Sequence, residues 1–274
     1  MFKKVIVIIL MILSAASGAK GEILFGLNPL CLPLLTNGPA VQGGLYYSGH
    51  NAIDGSLAFS LNKRVRFFAD YFKYDDEYTE ETAIFNDLKH YTVSFWYGEM
   101  GIGYRIGKVD QNQAVTELFC GAGKGHAFQE EYFPGLADSP TENAADYNKI
   151  FIQVNRGREK SGWNLAFGVR VMYVWYPYCQ SIKYYNLGTS YASADTVEFK
   201  NVSFINIEPA LQLEVGPKWF KGFAQFGIST CVKPYQTSYN TGYIYTYEEH
   251  KIGGAFYKVG LMSTIDLSFG KRDE

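Results

Sequence analysis

Ionisable residues that recur at every second position of otherwise apolar segments point to charge chemistry inside a closed sheet. Ten residues of this chain fit that pattern: Arg66, Asp70, Glu99, Arg105, Glu117, Arg170, Glu208, Glu214, Lys258 and Asp266. Glu99, Glu117 and Glu208 could carry a proton or a solute along a lumen. Mutual pairing with Arg66, Arg105, Arg170 and Lys258, which fills a lumen instead, is the reading the mixture of signs favours. A second constellation is the histidines, His50, His90, His126 and His250, all at segment ends on one side and near Asp87, Glu130, Glu248 and Glu249. Such groups could hold a metal or do Asp/His chemistry, but no metal-ligand spacing joins them. His90, His126 and His250 are the metal candidates, and the expectation is no metal, no cofactor and no catalytic residue. Gly121-Ala122-Gly123-Lys124-Gly125 lacks the remainder of a phosphate-binding loop and the helix that must follow it. No G-x-S-x-G nucleophile elbow occurs.

The elements that would position these groups are strands. A period of two runs through Val41 to Ser48, Ala52 to Leu61, Val65 to Tyr74, His90 to Ile106, Ala114 to His126, Tyr147 to Arg156, Trp163 to Trp175, Val202 to Val215, Phe220 to Cys231 and Ala255 to Phe269. In the last, Tyr257, Leu261, Ile265 and Phe269 share one face, while Lys258 and Asp266 share the other. It is far longer than the usual strand of about five or six residues, and a bilayer-crossing strand needs ~9–11.

The expected connections alternate. Beginning at the second strand, tight turns at Asn62-Lys63-Arg64, Asp110 to Asn112, Gly157 to Gly162 and Gly216-Pro217-Lys218 face long loops at Asp75 to Lys89, Phe128 to Asp146, Pro177 to Asn201 and Lys233 to His250. Short turns at one end and long loops at the other are the arrangement of an outer-membrane barrel. A lipocalin-like soluble barrel also alternates, with apolar residues inside. Strand length, even strand number and aromatic strand ends favour the membrane form. The fold class expected is therefore all-β, an antiparallel up-and-down transmembrane β-barrel of about ten strands over 41–269. Interior glycines, Gly101, Gly103, Gly121, Gly123 and Gly168, leave room for long neighbours. Pro209 removes one ladder donor, and a bulge or sheet irregularity is expected there.

Residues 1–19 read as a secretory leader: Lys3 and Lys4, an apolar run from Val5 to Leu13 too short to span a membrane, then small residues to Ala19. Residues 20–40, with Pro29, Pro33 and Pro39, form an irregular lead-in, and 270–274 a tail. Without Lys3 and Lys4 the formal charge moves from −2 to −4, and nothing suggests a nucleic-acid partner. Tyr and Phe number 22 and 20, a supply suited to interfacial girdles. Of the cysteines Cys31, Cys120, Cys179 and Cys231, a bridge would join Cys179 to Cys231, and free thiols are the alternative. Tyr235, Tyr239, Tyr243, Tyr245 and Tyr247 offer contact area at low entropy cost and could make a recognition surface with the acidic loop from Asp75.

Several segments resemble a family of small outer-membrane β-barrel proteins of Bacteroidota, mostly of unknown function. They are Pro29-Leu30-Cys31-Leu32-Pro33-Leu34-Leu35, Gly98-Glu99-Met100-Gly101-Ile102-Gly103-Tyr104, the run Glu117 to Gly125, and Ile207-Glu208-Pro209-Ala210-Leu211. The resemblance covers most of the mature chain and implies a membrane barrel, often lipid-bearing at a Cys; no lipidation is expected at Cys31. The reading that results is a monomeric, non-enzymatic outer-membrane barrel with a side-chain-filled lumen. Its partners would be the bilayer and an extracellular ligand or protein met through the long loops, or its role structural in the envelope. A small-solute channel and a barrel enzyme or metal binder using rim histidines and carboxylates are the alternatives.

Overall fold

The computed structural model describes residues 39–47, 52–62, 64–81, 88–106, 114–132, 140–160, 162–186, 191–198, 202–217, 219–232, 235–240, 245–250 and 254–267. The leader, most of the lead-in with Cys31, His50, Phe269 and the tail lie outside them. Thirteen strands are described: β1 Ala40–Tyr47, β2 Ala52–Ser60, β3 Val65–Glu81, β4 Leu88–Ile106, β5 Val115–Tyr132, β6 Thr141–Lys160, β7 Trp163–Asn186, β8 Tyr191–Glu198, β9 Val202–Val215, β10 Phe220–Cys231, β11 Tyr235–Asn240, β12 Tyr245–His250 and β13 Gly254–Asp266.

Ten of these close on themselves in the order β6-β5-β4-β3-β2-β1-β13-β10-β9-β7, with β6 pairing back to β7 and every pair antiparallel. β8 extends the outer half of β7, and β11–β12 form a separate two-stranded sheet. Closure removes the sheet edges that would otherwise expose unpaired backbone groups. β13 pairs on one side with β1 (Leu45 opposite Leu261) and on the other with β10 (Phe223 opposite Gly260), so the first and last barrel strands seal the ring. At the short-turn end the Asn62 side-chain oxygen accepts bonds from the backbone N–H of Arg64 and Val65, at 2.7 and 2.8 Å. That is an Asx-type cap tight enough to reverse β2 into β3.

Period two holds around the whole ring. Along β9, Val202, Phe204, Asn206, Glu208, Ala210, Gln212 and Glu214 are buried, while Ile205, Ile207, Leu211 and Val215 are exposed. The same inversion, polar or aromatic inward and aliphatic outward, recurs in β3, β4, β6, β7 and β13.

All four expected long loops are largely strand, the last as β11 and β12. β3 runs to Glu81 and β4 begins at Leu88; β5 reaches Tyr132 and β6 begins at Thr141; β7 continues to Asn186 and returns as β8. The reason is that a sheet extension wet on both faces has no apolar side, so the alternation that marks a strand is absent. Cross-strand pairs hold it instead: Tyr78 stacks on Tyr91 at 4.9 Å, Ser94 Oγ donates to Asp75 Oδ1 at 2.7 Å, and Thr79 Oγ1 lies 2.9 Å from His90 Nδ1. Asp75 is held below the usual carboxylate range by hydrogen bonds from Lys73 and Ser94. At Pro177 the β6–β7 register shifts, Asn148 facing Trp175 but Asp146 facing Tyr178, so β7 carries one extra residue. That is a bulge at a residue that cannot donate. At Pro209 there is no bulge: the β7–β9 register runs through it, and only rungs to β10 between Ala210 and Ile207 are missing.

Glycine makes the interior packing possible at Gly121, where a Cβ would stand 2.3 Å from the Met100 carbonyl and 2.3 Å from the Phe151 ring. Gly121→Ala should therefore lose about 1–3 kcal/mol to overpacking, whereas Gly43→Ala, whose Cβ meets only Ser56 O at 4.0 Å, should stay near wild type. Urea unfolding of both variants in detergent measures the difference; equal midpoints would show that the ring over Gly121 is not tightly packed.

Candidate functional site

The inward positions gather six acids, Asp54, Asp70, Glu99, Glu117, Glu208 and Glu214, and six bases, Arg66, Arg105, Lys149, Arg170, Lys221 and Lys258, all buried. An ionised group taken from water costs several kcal/mol unless it is paired, and here opposite signs meet across the lumen. Arg170 on β7 donates from Nη1 to both Glu99 oxygens of β4, at 2.8 and 2.9 Å, and from Nε to Glu208 of β9 at 2.8 Å. Lys149 on β6 lies 2.6 Å from Glu99 Oε2, so that carboxylate is held by two cations. Arg66 Nε donates to Glu117 Oε1 at 2.7 Å, Lys258 sits 3.3 Å from Asp54, and Lys221 sits 3.5 Å from Glu214. Glu214 also accepts from Asn164 at 2.8 Å and Gln212 at 2.6 Å.

Four of these contacts skip strands, Arg170 to Glu99, Lys149 to Glu99, Arg66 to Glu117 and Lys258 to Asp54, and a small residue in between can make the reach possible. Lys149 reaches Glu99 over Gly123 of β5, where a Cβ would come within 2.8 Å of Lys149 Cε and 2.9 Å of Glu99 Cβ. Above the charges, toward the extended ends, lies an aromatic layer. Phe72 stacks on Tyr97 at 5.4 Å, Phe95 on Tyr147 at 6.1 Å, and Tyr176 meets Phe204 edge-on at 5.7 Å. Lys149 Nζ stands 4.2 Å over the Tyr97 ring, which couples the two layers through a cation–π contact.

Nine of the ten residues expected in the lumen are buried there. Asp266 shares their face but is exposed at the end of β13. Asp54, Lys149 and Lys221 were absent from the expected set. The signal for Lys149 was the alternation Tyr147, Lys149, Phe151, Gln153, Asn155 against Ile150, Ile152 and Val154, two faces that both look apolar until one is known to meet the lumen.

Of the histidines weighed as a metal site, only His90 and His126 have described side chains, and they stand apart. His90 is exposed beside Thr79, and His126 Nδ1 lies 2.7 Å from Asp146 Oδ1 on the outer face. His250 belongs to β12, whose side chains are not described. Among the described residues no three His, Cys, Asp or Glu side chains converge on one point. Tyr235 and Tyr239 lie in β11, Tyr245 and Tyr247 in β12, and Tyr243 is outside the described residues. Among the described residues Cys120, Cys179 and Cys231 form no disulfide. Cys231 neighbours Asn206, whose β7 partner is Met172, seven residues before Cys179. At about 3.4 Å per residue that is far beyond the ~7 Å a bridge allows. Burial pushes the Cys179 thiol up to about 11.

No family model matches the chain, and no curated protein matches it. Among solved structures, the outer membrane protease OmpT from Escherichia coli is similar at 9% identity, over 83% of this chain and 93% of that one, with a TM-score of 0.46. The P. putida toluene transporter TodX is similar at 8% identity, over 85% and 91%, with a TM-score of 0.33. Likenesses this distant say nothing of what this chain does.

Replacing Arg170 by Met would leave Glu99 and Glu208 buried with less counter-charge, and should cost about 3–5 kcal/mol. Arg170→Lys should recover only part, since an ammonium cannot fork between two carboxylates. Denaturant midpoints of the refolded barrel report this; an Arg170→Met barrel as stable as wild type would show that the tie is dispensable.

Proposed function

We propose that the chain is a monomeric, non-enzymatic outer-membrane barrel, exported to the envelope, sealed within and presenting its sheet extensions outside for binding, adhesion or envelope structure. The observation that carries this reading is the outer surface. Met100, Ile102, Tyr104 and Ile106 of β4 expose 69, 48, 46 and 52% of their area, and Val259, Leu261 and Ile265 of β13 expose 40, 55 and 62%. Soluble monomers rarely carry contiguous apolar surface on this scale.

The belt has two borders. On β3 the outward residues Val65, Phe67, Ala69 and Tyr71 lie between Arg64 and Lys73; on β5 Leu118, Cys120 and Ala122 lie between Thr116 and Lys124; on β6 Ile150, Ile152 and Val154 lie between Asn148 and Arg156. Each stretch covers eight or nine residue steps, which at a 35–45° tilt rises about 19–25 Å, close to the apolar band of a membrane barrel, about 25 Å tall. Tyr47, Tyr71 and Tyr173 expose their rings near the upper border, and Tyr104, Trp219 and Phe220 near the lower one, as aromatic girdles do. Under this reading β3 to β8 rise beyond the band as a wall with stacked Tyr78 and Tyr91, and Tyr235, Tyr239, Tyr245 and Tyr247 belong to a neighbouring hairpin. These tyrosines are the surface through which a ligand or protein would be met.

The sealed interior separates this reading from a channel. In planar bilayers the purified protein should insert without stepwise current; a steady open level would contradict the filled lumen. It should also float with liposomes after extraction only by detergent, and recovery as a soluble monomer would contradict membrane residence.

A further inference from the structure

We infer that the outward face of β2 to β5, with its foot on β6, binds an anionic phospholipid of the short-turn leaflet, an acyl chain lying in a surface groove and the phosphate held by arginines below it. This rests on the membrane reading above. The groove has a volume of about 680 Å³ and lies in the middle of the apolar belt. Two register rows make it. Phe59, Phe67, Ile102 and Cys120 are consecutive partners across four strands, as are Leu57, Ala69, Met100 and Ala122. The small side chains Ala69, Cys120 and Ala122 form its floor, and Phe59, Phe67 and Met100 its walls. Inside hydrocarbon no water fills such a concavity, and atoms facing a void lose their dispersion contacts. A flexible acyl chain supplies them.

The headgroup is chosen by what lies below. The next row toward the short turns is Val65, Tyr104, Leu118 and Val154. Arg64 Nη1 donates to the Tyr104 hydroxyl at 2.7 Å, and the guanidinium carbon stands 5.9 Å from that ring's centroid. The guanidinium is thus parked at the membrane border under the groove, with its remaining N–H donors and the Tyr104 O–H open to an acceptor. Arg156, opposite Thr116 one row lower, and Arg158 after it also point outward and are exposed. Among the described residues Arg64, Arg156 and Arg158 form no ion pair. Three unneutralised guanidinium groups at the foot of an acyl groove match a phosphodiester, which they can grip with paired N–H donors. Their net positive charge favours a headgroup that is anionic overall.

The experiment is native mass spectrometry of the full, folded chain, released from detergent after titration with phosphatidylglycerol or with phosphatidylcholine of the same chain length. At about 1 kcal/mol per arginine near an anionic group, Arg64 and Arg156 together should favour phosphatidylglycerol by roughly 10- to 30-fold. The exposed double change Arg64→Gln with Arg156→Gln should abolish that preference while leaving weak retention of both lipids. Ala122→Trp, which fills the groove, should lower retention of both. Equal retention by the wild type, a preference that survives the double change, or displacement of lipid by equimolar inorganic phosphate would each overturn the inference. Liposome flotation of the same sample keeps the two claims apart: a protein that floats without lipid preference refutes only this site, and one that fails to float refutes the membrane reading beneath it.

Discussion

The interaction on which the rest depends is the tie from Arg170 to Glu99 and Glu208, which joins β7 to β4 and β9 through the middle of the ring. Neighbouring strands such as β7 and β9 are already joined by backbone rungs; the arm from Arg170 to Glu99 joins two strands that are not neighbours. Without a counter-charge each member would be an isolated ion in a medium that cannot solvate it, so the three must assemble together or not at all. Lys149 adds a second cation to Glu99 and reaches it only because β5 carries glycine at 123. Glycines in this wall are thus part of the charge arrangement as well as of the ring packing.

Buried ion pairs are weak evidence for stability, since a well-packed apolar interior of equal volume is often as stable or more so. Their effect here is on register. A slip of one residue in any strand would turn its inward set outward; if the barrel lies in a membrane, as proposed, that would place Arg170, Lys149 or Lys258 against hydrocarbon at about 2–4 kcal/mol for each base near the midplane. The aliphatic belt alone would not resist such a slip as strongly, because an aliphatic side chain tolerates the interior. Charged residues inside and aliphatic residues outside therefore favour a single alignment of the ten strands.

Much of this was legible from residues alone, because a closed wall with an apolar outer face and a polar inner face imposes a strict period of two. All ten barrel strands follow from that period, and nine of the ten charges expected on the inner face are buried, Asp266 being exposed. What escaped did so for physical reasons. Outside the band both faces are wet, so Asp75, Asp76 and Glu77 read as loop although they lie within β3, paired rung by rung with β4. Lys149 and Lys221 sit between large aromatics, Tyr147 and Phe151 for one and Phe223 for the other, where polarity does not distinguish the faces. The expected Cys179–Cys231 bridge is absent because shared loop ends do not determine height along two staggered strands. Arg64 beside Tyr104 needed three dimensions, since a turn residue has no strand parity to read.

The central claim is that β13 divides lipid from a closed, dry interior, and nitroxide scanning of that strand tests both halves at once. With spin labels placed one at a time from position 256 to 265 in the reconstituted barrel, power saturation measures collision with oxygen, which concentrates in lipid, and with a water-soluble nickel chelate. The account predicts high oxygen and low nickel collision at 257, 259, 261 and 265, and low collision with both at 256, 258 and 262. High nickel collision at 258 and 262 would contradict the sealed lumen, and high nickel collision at 259 and 261 would contradict the membrane belt.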